Sequence, residues 1–466
     1  MRKWYSPIIA ITVVLLFASG SCKLKEKKQV ARGIDIHLHG AINQHSHMPF
    51  DSNLVISFYR NYPALNKYEK DVMEVYRQHR FNFIWHDEHG IVEFGQTLYG
   101  KVKALDAEGI SSKFPCMEKI DGIFENGKEN TLTPTETELM LTNLYLFYAG
   151  NVYKGLDDTT TTALGWLLPR KQVSYGDLLD SVMSDPVLLN RDDSVLFSQY
   201  YKLRDALQKY REIEKKGGWN PIGKEMNLPI DECIKKIIVN MERCRWISPE
   251  FAKAKEYIVV NVPSFTLNLV RNGKSDFESP VIVGKNTTKT VIFSGMLSYI
   301  VFCPYWNLPQ SIINKEVKPG MKKNKNYLET HNMEWNNGQV RQKPGKNNSL
   351  GLVKFIFPNS NDIYMHDTPA KSLFEKGSRA FSHGCIRVGK PRDLAVEILR
   401  DDPNWTPEKI DAAMHAGKEN SYSLKKKIPV YIGYLTAWVD AQGRINFYED
   451  IYDWDERLAE LLTAEK

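Results

Sequence analysis

Two short segments hold residue types suited to acyl transfer: Tyr364-Met365-His366-Asp367-Thr368 and Phe381-Ser382-His383-Gly384-Cys385-Ile386-Arg387-Val388. A cysteine beside a glycine, preceded by a strand-like run that ends in histidine, fits a nucleophile and a base held on rigid elements. Gly384 lets a substrate carbonyl approach the backbone closely. The natural reaction is attack of a thiol on an amide. Because the thiolate is the attacking species, Cys385 needs a partner that lowers its pKa, and either His366 or His383 could supply it. His383 is so near in sequence that it is the less obvious choice. Buried thiols and surface histidines are common, so these residues alone do not establish catalysis.

The elements that must position these groups change character along the chain. From about residue 51 to 250 the apolar spacing is helical. Thr133-Pro134-Thr135-Glu136 forms a capping box with proline at the first helical position, and Leu139, Leu144, Leu146 and Phe147 continue the run. Leu203, Leu207, Tyr210 and Ile213 recur at three- and four-residue steps until Gly217-Gly218, and Pro229 opens a helix with Ile230, Ile234, Ile237, Ile238 and Met241 on one face. After about Ala254 the runs are β-rich: 257–262, 265–270, 281–283, 298–302, 352–357, 429–435 and 444–448. Between Lys315 and Lys346 eight basic residues face three acidic ones around Asn336-Asn337-Gly338 and Pro344-Gly345. That stretch predicts a mobile basic insertion in the β region.

His366, fifteen intervening residues, then Ser382-His383-Gly384-Cys385 with Arg387 two further on resembles the signature of the YkuD-type L,D-transpeptidases. Gly217-Gly218-Trp219, Asn240-Met241-Glu242-Arg243 with Arg245-Trp246, the Val260-Asn261-Val262-Pro263 strand, Pro304-Tyr305-Trp306-Asn307-Leu308-Pro309 and Ile432 to Asp450 look like the large YcbB-like branch, which carries a scaffold before the catalytic domain. The resemblance implies an α+β fold with an α-helical scaffold at 51–250, a mainly β YkuD-type catalytic domain at 255–452 with a lid-like insertion at about 315–350, and a C-terminal tail at 453–466. Two departures stand out. Only about twenty residues separate Trp219 from Met241, too few for the wall-binding helical module usual there, and Thr288-Lys289-Thr290 lacks the customary proline, a loop difference expected to matter little.

The same resemblance implies site roles. Cys385 is the expected nucleophile on the third residue of a peptidoglycan stem tetrapeptide. His366 is the expected base and later acid, oriented by the backbone carbonyl of Asp367, with Gly384 and Cys385 N–H groups as oxyanion donors. Ser382, His383, Arg387, Tyr364, Trp306 and Asn307 are the expected substrate-binding residues, although Arg387 reads equally as a structural ion pair and Trp306 as a core residue. Donor and acceptor stem peptides are the implied partners, carbapenem-type β-lactams the implied inhibitors, and no cofactor is expected. An L,D-carboxypeptidase using water as acceptor and a non-catalytic wall-binding lipoprotein are the alternatives; an intact His366 and Cys385 favour an enzyme.

The rest of the chain bounds its setting. Arg2 and Lys3 precede the apolar run Ile8 to Ala18, then Ser19, Gly20 and Ser21 lead to Cys22, the layout of an export signal at 1–22 with Cys22 as the acylated residue of a lipoprotein. Lys23, Lys25, Lys27 and Lys28 open a tether at 23–50, and a periplasmic, membrane-anchored protein is expected. The chain has 466 residues and a net charge of +6, which is modest and gives no reason to invoke nucleic acid. Its six cysteines contain no CxxC pair, so no structural zinc is indicated, and Cys116, Cys233, Cys244 and Cys303 read as core thiols. Asp35-Ile36-His37-Leu38-His39, with His45 and His47, could hold a metal as in amidohydrolases, but the helical region that follows lacks the barrel such enzymes need, and no metal is expected.

Overall fold

The computed structural model describes residues 49–463, except 88, 126–129, 171, 185–195, 218–227, 249–250 and 252–253. The export signal, Cys22, the lysine tether and the His37–His47 cluster lie outside the described residues.

Helices dominate up to residue 248: α1 (Asn53–Asn61), α2 (Glu69–Gln78), α3 (Glu93–Lys103), α4 (Met117–Phe124), α5 (Pro134–Ala149), α6 (Asp158–Ala163), α7 (Tyr175–Ser184), α8 (Gln199–Lys215) and α9 (Ile230–Trp246), with a small hairpin of β1 (His86–Asp87) and β2 (Gly90–Ile91). The α5 capping box is present on both sides, Glu136 N–H to Thr133 Oγ1 and Thr133 N–H to the Glu136 carboxylate. From Thr137 to Ala149 every α5 residue is buried. A helix buried all round needs apolar residues all round, and α1, α2, α3 and α4 pack about it.

Helix α9 joins this scaffold to the rest of the chain. Successive residues on a helix point apart, and α9 uses that to face two ways. Glu242 points into the scaffold, accepting from Leu156 N–H at 2.6 Å, the Trp246 indole at 2.8 Å and Arg245 at 2.8 Å. Arg243 points the other way, to Asp455 at 2.7 Å, which Lys236 also meets at 2.8 Å. All of these charged groups are buried, and breaking such a pair strands a charge at a cost of about 3–5 kcal/mol. Asp455 begins helix α15 (Asp455–Thr463), so the segment expected as a tail is folded, held by these ion pairs.

The β region is built from β3 (Glu256–Asn261), β4 (Thr266–Arg271), β5 (Lys274–Gly284), β6 (Ser294–Phe302), β10 (Val353–Ile356), β11 (Met365–His366), β12 (Ala380–Ser382), β13 (Ile386–Val388) and β14 (Asn420–Gly433). Their order is β12-β5-β13-β11-β10-β6-β14-β3-β4, and β4 also pairs with β5, which closes the sheet on itself. Residues pointing inward, among them Val260, Leu267, Val281, Ile300, Phe302, Val353, Phe355, Met365, Ile386 and Ile432, are fully buried. Helices α13 (Pro391–Leu399) and α14 (Pro407–Met414) and the pair β15 (Ala437–Val439) and β16 (Ile445–Phe447) complete the domain.

The basic stretch is not a structureless loop. It folds as α10 (Gln310–Ile312), a π-turn (Ile313–Val317), α11 (Lys318–Lys323), α12 (Tyr327–Thr330) and a sheet of β7 (Trp306–Asn307), β9 (Gln339–Gln342) and β8 (Met333–Asn336). Leu308, Ile313, Val317 and Val340 give it a small core of its own. Asn337 and Gly338, at φ +50° and +80°, form the two-residue hairpin turn for which Asn-Gly is a strong sequence signal.

Candidate active site

Register places the chemistry. β11 runs parallel to β13 with Met365 opposite Ile386 and His366 opposite Arg387, and Ile386 N–H donates to Tyr364 O at 3.1 Å, which extends the ladder by one residue. Side chains alternate along a strand, so Met365 and Ile386 enter the core while Tyr364, His366, Cys385 and Arg387 share the other face. Cys385 and His366 are therefore diagonal neighbours, although nineteen positions separate them in sequence.

His366 is buried at 5% exposure, and its Nδ1 lies 2.5 Å from the Asp367 carbonyl. A carbonyl only accepts, so Nδ1 carries the proton and Nε2 is left as the basic nitrogen. The Asp367 carboxylate is spent on the loop, accepting from Thr368 N–H, Leu352 N–H and Lys371. Burial, then the positive charges of Arg387 and Lys354, push the His366 imidazole down to about 3, so the ring is neutral at pH 7. Burial likewise raises the Cys385 thiol, opposed by hydrogen bonds from the Tyr364 backbone and phenol and by Arg387. The resting pair is thus thiol and neutral imidazole. The thiol donates to Asp362 O at 3.7 Å and makes no hydrogen bond to His366, so it must rotate to transfer its proton.

The turn before Cys385 departs from expectation. Gly384 N–H is already committed to Ser382 Oγ at 3.0 Å, and Ser382 Oγ donates to Cys385 O at 2.6 Å. Both groups are engaged here in shaping the turn, in which Gly384 sits at φ +117° and Ser382 is buried. Cys385 N–H, without a partner among the described residues, is left as the backbone donor. His383 turns outward to Glu316 of the insertion at 3.5 Å, which removes it as a partner for the thiol.

Tyr364 shares the face of Cys385 and His366, whereas Trp306 is half-buried against the small core of the insertion. The Tyr364 ring centroid sits 5.7 Å from that of His366, and burial together with the neighbouring Cys385 thiol raises the pKa of its phenol. Asn307 is exposed and paired with Arg341, and the strand alternation turns it away from Trp306's side. The half-buried Arg387 forms no ion pair among the described residues, which leaves its charge available.

Several positioning residues were not legible in the sequence. Thr288 Oγ1 donates to Ser382 O at 3.0 Å and Thr290 Oγ1 to Gly384 O at 2.8 Å, so this loop clamps the turn before Cys385. Tyr452 locks that clamp in place: its hydroxyl donates to Gly284 O at 2.7 Å and accepts from Thr290 N–H at 2.9 Å. Nothing local in Thr288-Lys289-Thr290 signals a partner more than 90 residues away.

Comparison with known proteins fits this arrangement. Residues 255–408 match the YkuD L,D-transpeptidase catalytic domain, and residues 70–207 match the family described as a scaffold domain. The chain thus carries a scaffold domain followed by a YkuD L,D-transpeptidase catalytic domain. A Haemophilus influenzae protein provisionally named an L,D-transpeptidase is 35% identical over 259 residues, covering 51% of this chain and 50% of that protein. The chain thus spans about half the length of the curated relative it matches. Among solved structures, an L,D-transpeptidase from Mycobacterium smegmatis is 13% identical with a TM-score of 0.23, covering 38% of this chain and 58% of that one. L,D-transpeptidase 3 from Mycobacterium tuberculosis, solved with a faropenem-derived adduct, is 14% identical with a TM-score of 0.21, covering 38% and 60%.

Proposed function

We propose that this L,D-transpeptidase-family chain crosslinks peptidoglycan stem peptides through a thioester on Cys385. The supporting observation is the shared face of Cys385 and His366, with the imidazole held so that its basic nitrogen is free. His366 Nε2 takes the thiol proton as Sγ attacks the carbonyl of the third stem residue, and Cys385 N–H steadies the oxyanion; a donor of this kind is worth about 3–4 kcal/mol. The proton then passes to the departing amine. In the second half His366 deprotonates the acceptor amine of another stem. A carboxypeptidase differs only in using water as acceptor. A wall-binding protein without catalysis has no need of the oriented pair. Carbapenems present a strained carbonyl in place of the donor amide and are expected to acylate the same thiol.

Purified disaccharide-tetrapeptides incubated with the full chain separate these readings by mass spectrometry. Crosslinked dimers with released D-alanine are expected. Tripeptide stems without dimers would indicate the carboxypeptidase, and unchanged stems would contradict both.

Export and acylation at Cys22 belong to the same proposal, supported by the basic, apolar and small-residue order of the first 22 residues. An acyl chain followed by lysines supplies the two signals that stable anchoring needs. Metabolic labelling with a clickable fatty acid should mark the protein, and label that persists in Cys22→Ser would refute acylation there.

A further inference from the structure

We propose that Lys354 receives the carboxylate of the amino acid expelled from the donor peptide, making the site selective for donors with a single residue beyond the scissile bond. The inference rests on the thioester reading above. Lys354 lies opposite His366 in the β10–β11 pairing, and His366 lies opposite Arg387 in the β11–β13 pairing. All three side chains occupy the site face, in the lateral order nucleophile strand, base strand, lysine strand, with adjacent strands about 4.8 Å apart.

The reaction imposes the same order on the substrate. The Sγ–C bond forms and the C–N bond breaks, and the thiol proton held at His366 Nε2 passes to the departing nitrogen, so no other reactant is needed. That nitrogen must therefore lie against His366. In an amino acid the carboxylate carbon is two bonds from the amine, about 2.5 Å away. Continuing outward from Cys385 past His366, the carboxylate arrives at the next strand, where Lys354 stands. One extra residue would move the terminal carboxylate roughly 3.5 Å further along the chain and leave an uncharged amide there instead.

Lys354 is suited to this and is not otherwise occupied. It is partly buried, its one hydrogen bond is a long 3.5 Å contact to Tyr305 O, and it forms no ion pair among the described residues. Glu419 is the acidic group whose charge reaches it, but that carboxylate is exposed and accepts from Tyr305 N–H at 2.7 Å. Burial holds the Lys354 pKa below its ordinary value, a penalty that a bound carboxylate would offset.

The test compares acylation of the full chain by tetrapeptide donors whose terminal carboxylate is free or amidated, in wild type, Lys354→Met and Lys354→Arg. Wild type should prefer the free acid by about 10- to 100-fold, the range for a hydrogen bond to a charged group. Lys354→Met should bring the ratio near unity and Lys354→Arg should restore much of it. Because each ratio is taken within one preparation, partial unfolding lowers both rates and leaves the ratio unchanged. Equal rates on both donors in wild type, or a preference that survives in Lys354→Met, would overturn the role of Lys354 while leaving the thioester intact. Silence towards every donor would overturn the thioester reading itself.

Discussion

Replacing His366 by alanine should slow acylation of the protein by about 10²- to 10⁴-fold at pH 7, the usual contribution of a positioned general base. The pH behaviour is the sharper expectation. Because the imidazole is pushed down to about 3, wild type holds a neutral base throughout the range above about pH 5, and its acylation rate should show no inflection near the ordinary histidine pKa of about 6.5. In His366→Ala only thiolate reacts, so its rate should climb about tenfold per pH unit. The defect should therefore shrink steadily from pH 6 to 9. Burial raises the Cys385 thiol, so recovery continues beyond the free-thiol pKa of about 8.5 instead of levelling there. Stopped-flow acylation by a carbapenem across that range measures it, and a defect independent of pH would remove His366 from the role of base. The same group affects stability. Its folded pKa lies below its unfolded one, so the unfolded chain binds more protons between about pH 3 and 6.5, and the stability present above 6.5 drains away as pH falls, by at most about 1.4 kcal/mol per unit. Urea unfolding of wild type and His366→Ala at pH 5 and 7 should show a smaller loss in the variant.

The parts of the fold that could be read from the chain were those written in local spacing. The Thr133 to Glu136 capping box, the Pro229 start of α9 and the alternating valines and isoleucines of β3 and β14 each depend on neighbours a few residues away. Cys385 and His366, the proposed nucleophile and base, stood out for a different reason: their types and spacing are uncommon enough to resemble one family. Composition gave the basic insertion but not its internal order: Leu308, Ile313, Val317 and Val340 close a small core beneath its lysines and asparagines, and Asn337-Gly338 turns a hairpin.

The remainder of the site depends on register and on hydrogen bonds across the molecule. Ser382 and Gly384 were identified as functional, but that one bonds the other inside the turn cannot be seen without the turn. Thr290, whose hydroxyl bonds the Gly384 carbonyl, is held in turn by Tyr452, 162 residues away. Lys354 owes its place beside His366 to the pairing of β10 with β11, and nothing in Val353-Lys354-Phe355 distinguishes that lysine from a surface one.

The central claim is that Cys385 carries the acyl group, and intact-protein mass spectrometry tests it most directly. Sγ is the atom that can both leave the Asp362 carbonyl to meet His366 and hold a carbonyl carbon beside the Cys385 N–H. Its removal should abolish covalent turnover, not merely weaken it, because no other cysteine lies on the β11–β13 pair that carries His366; of the other free cysteines among the described residues, Cys233, Cys244 and Cys303 are buried and Cys116 is half-buried. Wild type mixed with a tetrapeptide stem at neutral pH should gain the mass of the stem minus its terminal D-alanine, located on the Cys385 peptide and released by hydroxylamine, while Cys385→Ala should remain at its own mass under the same conditions. An adduct that accumulates on Cys385→Ala, or maps to another residue of the wild type, would contradict the account.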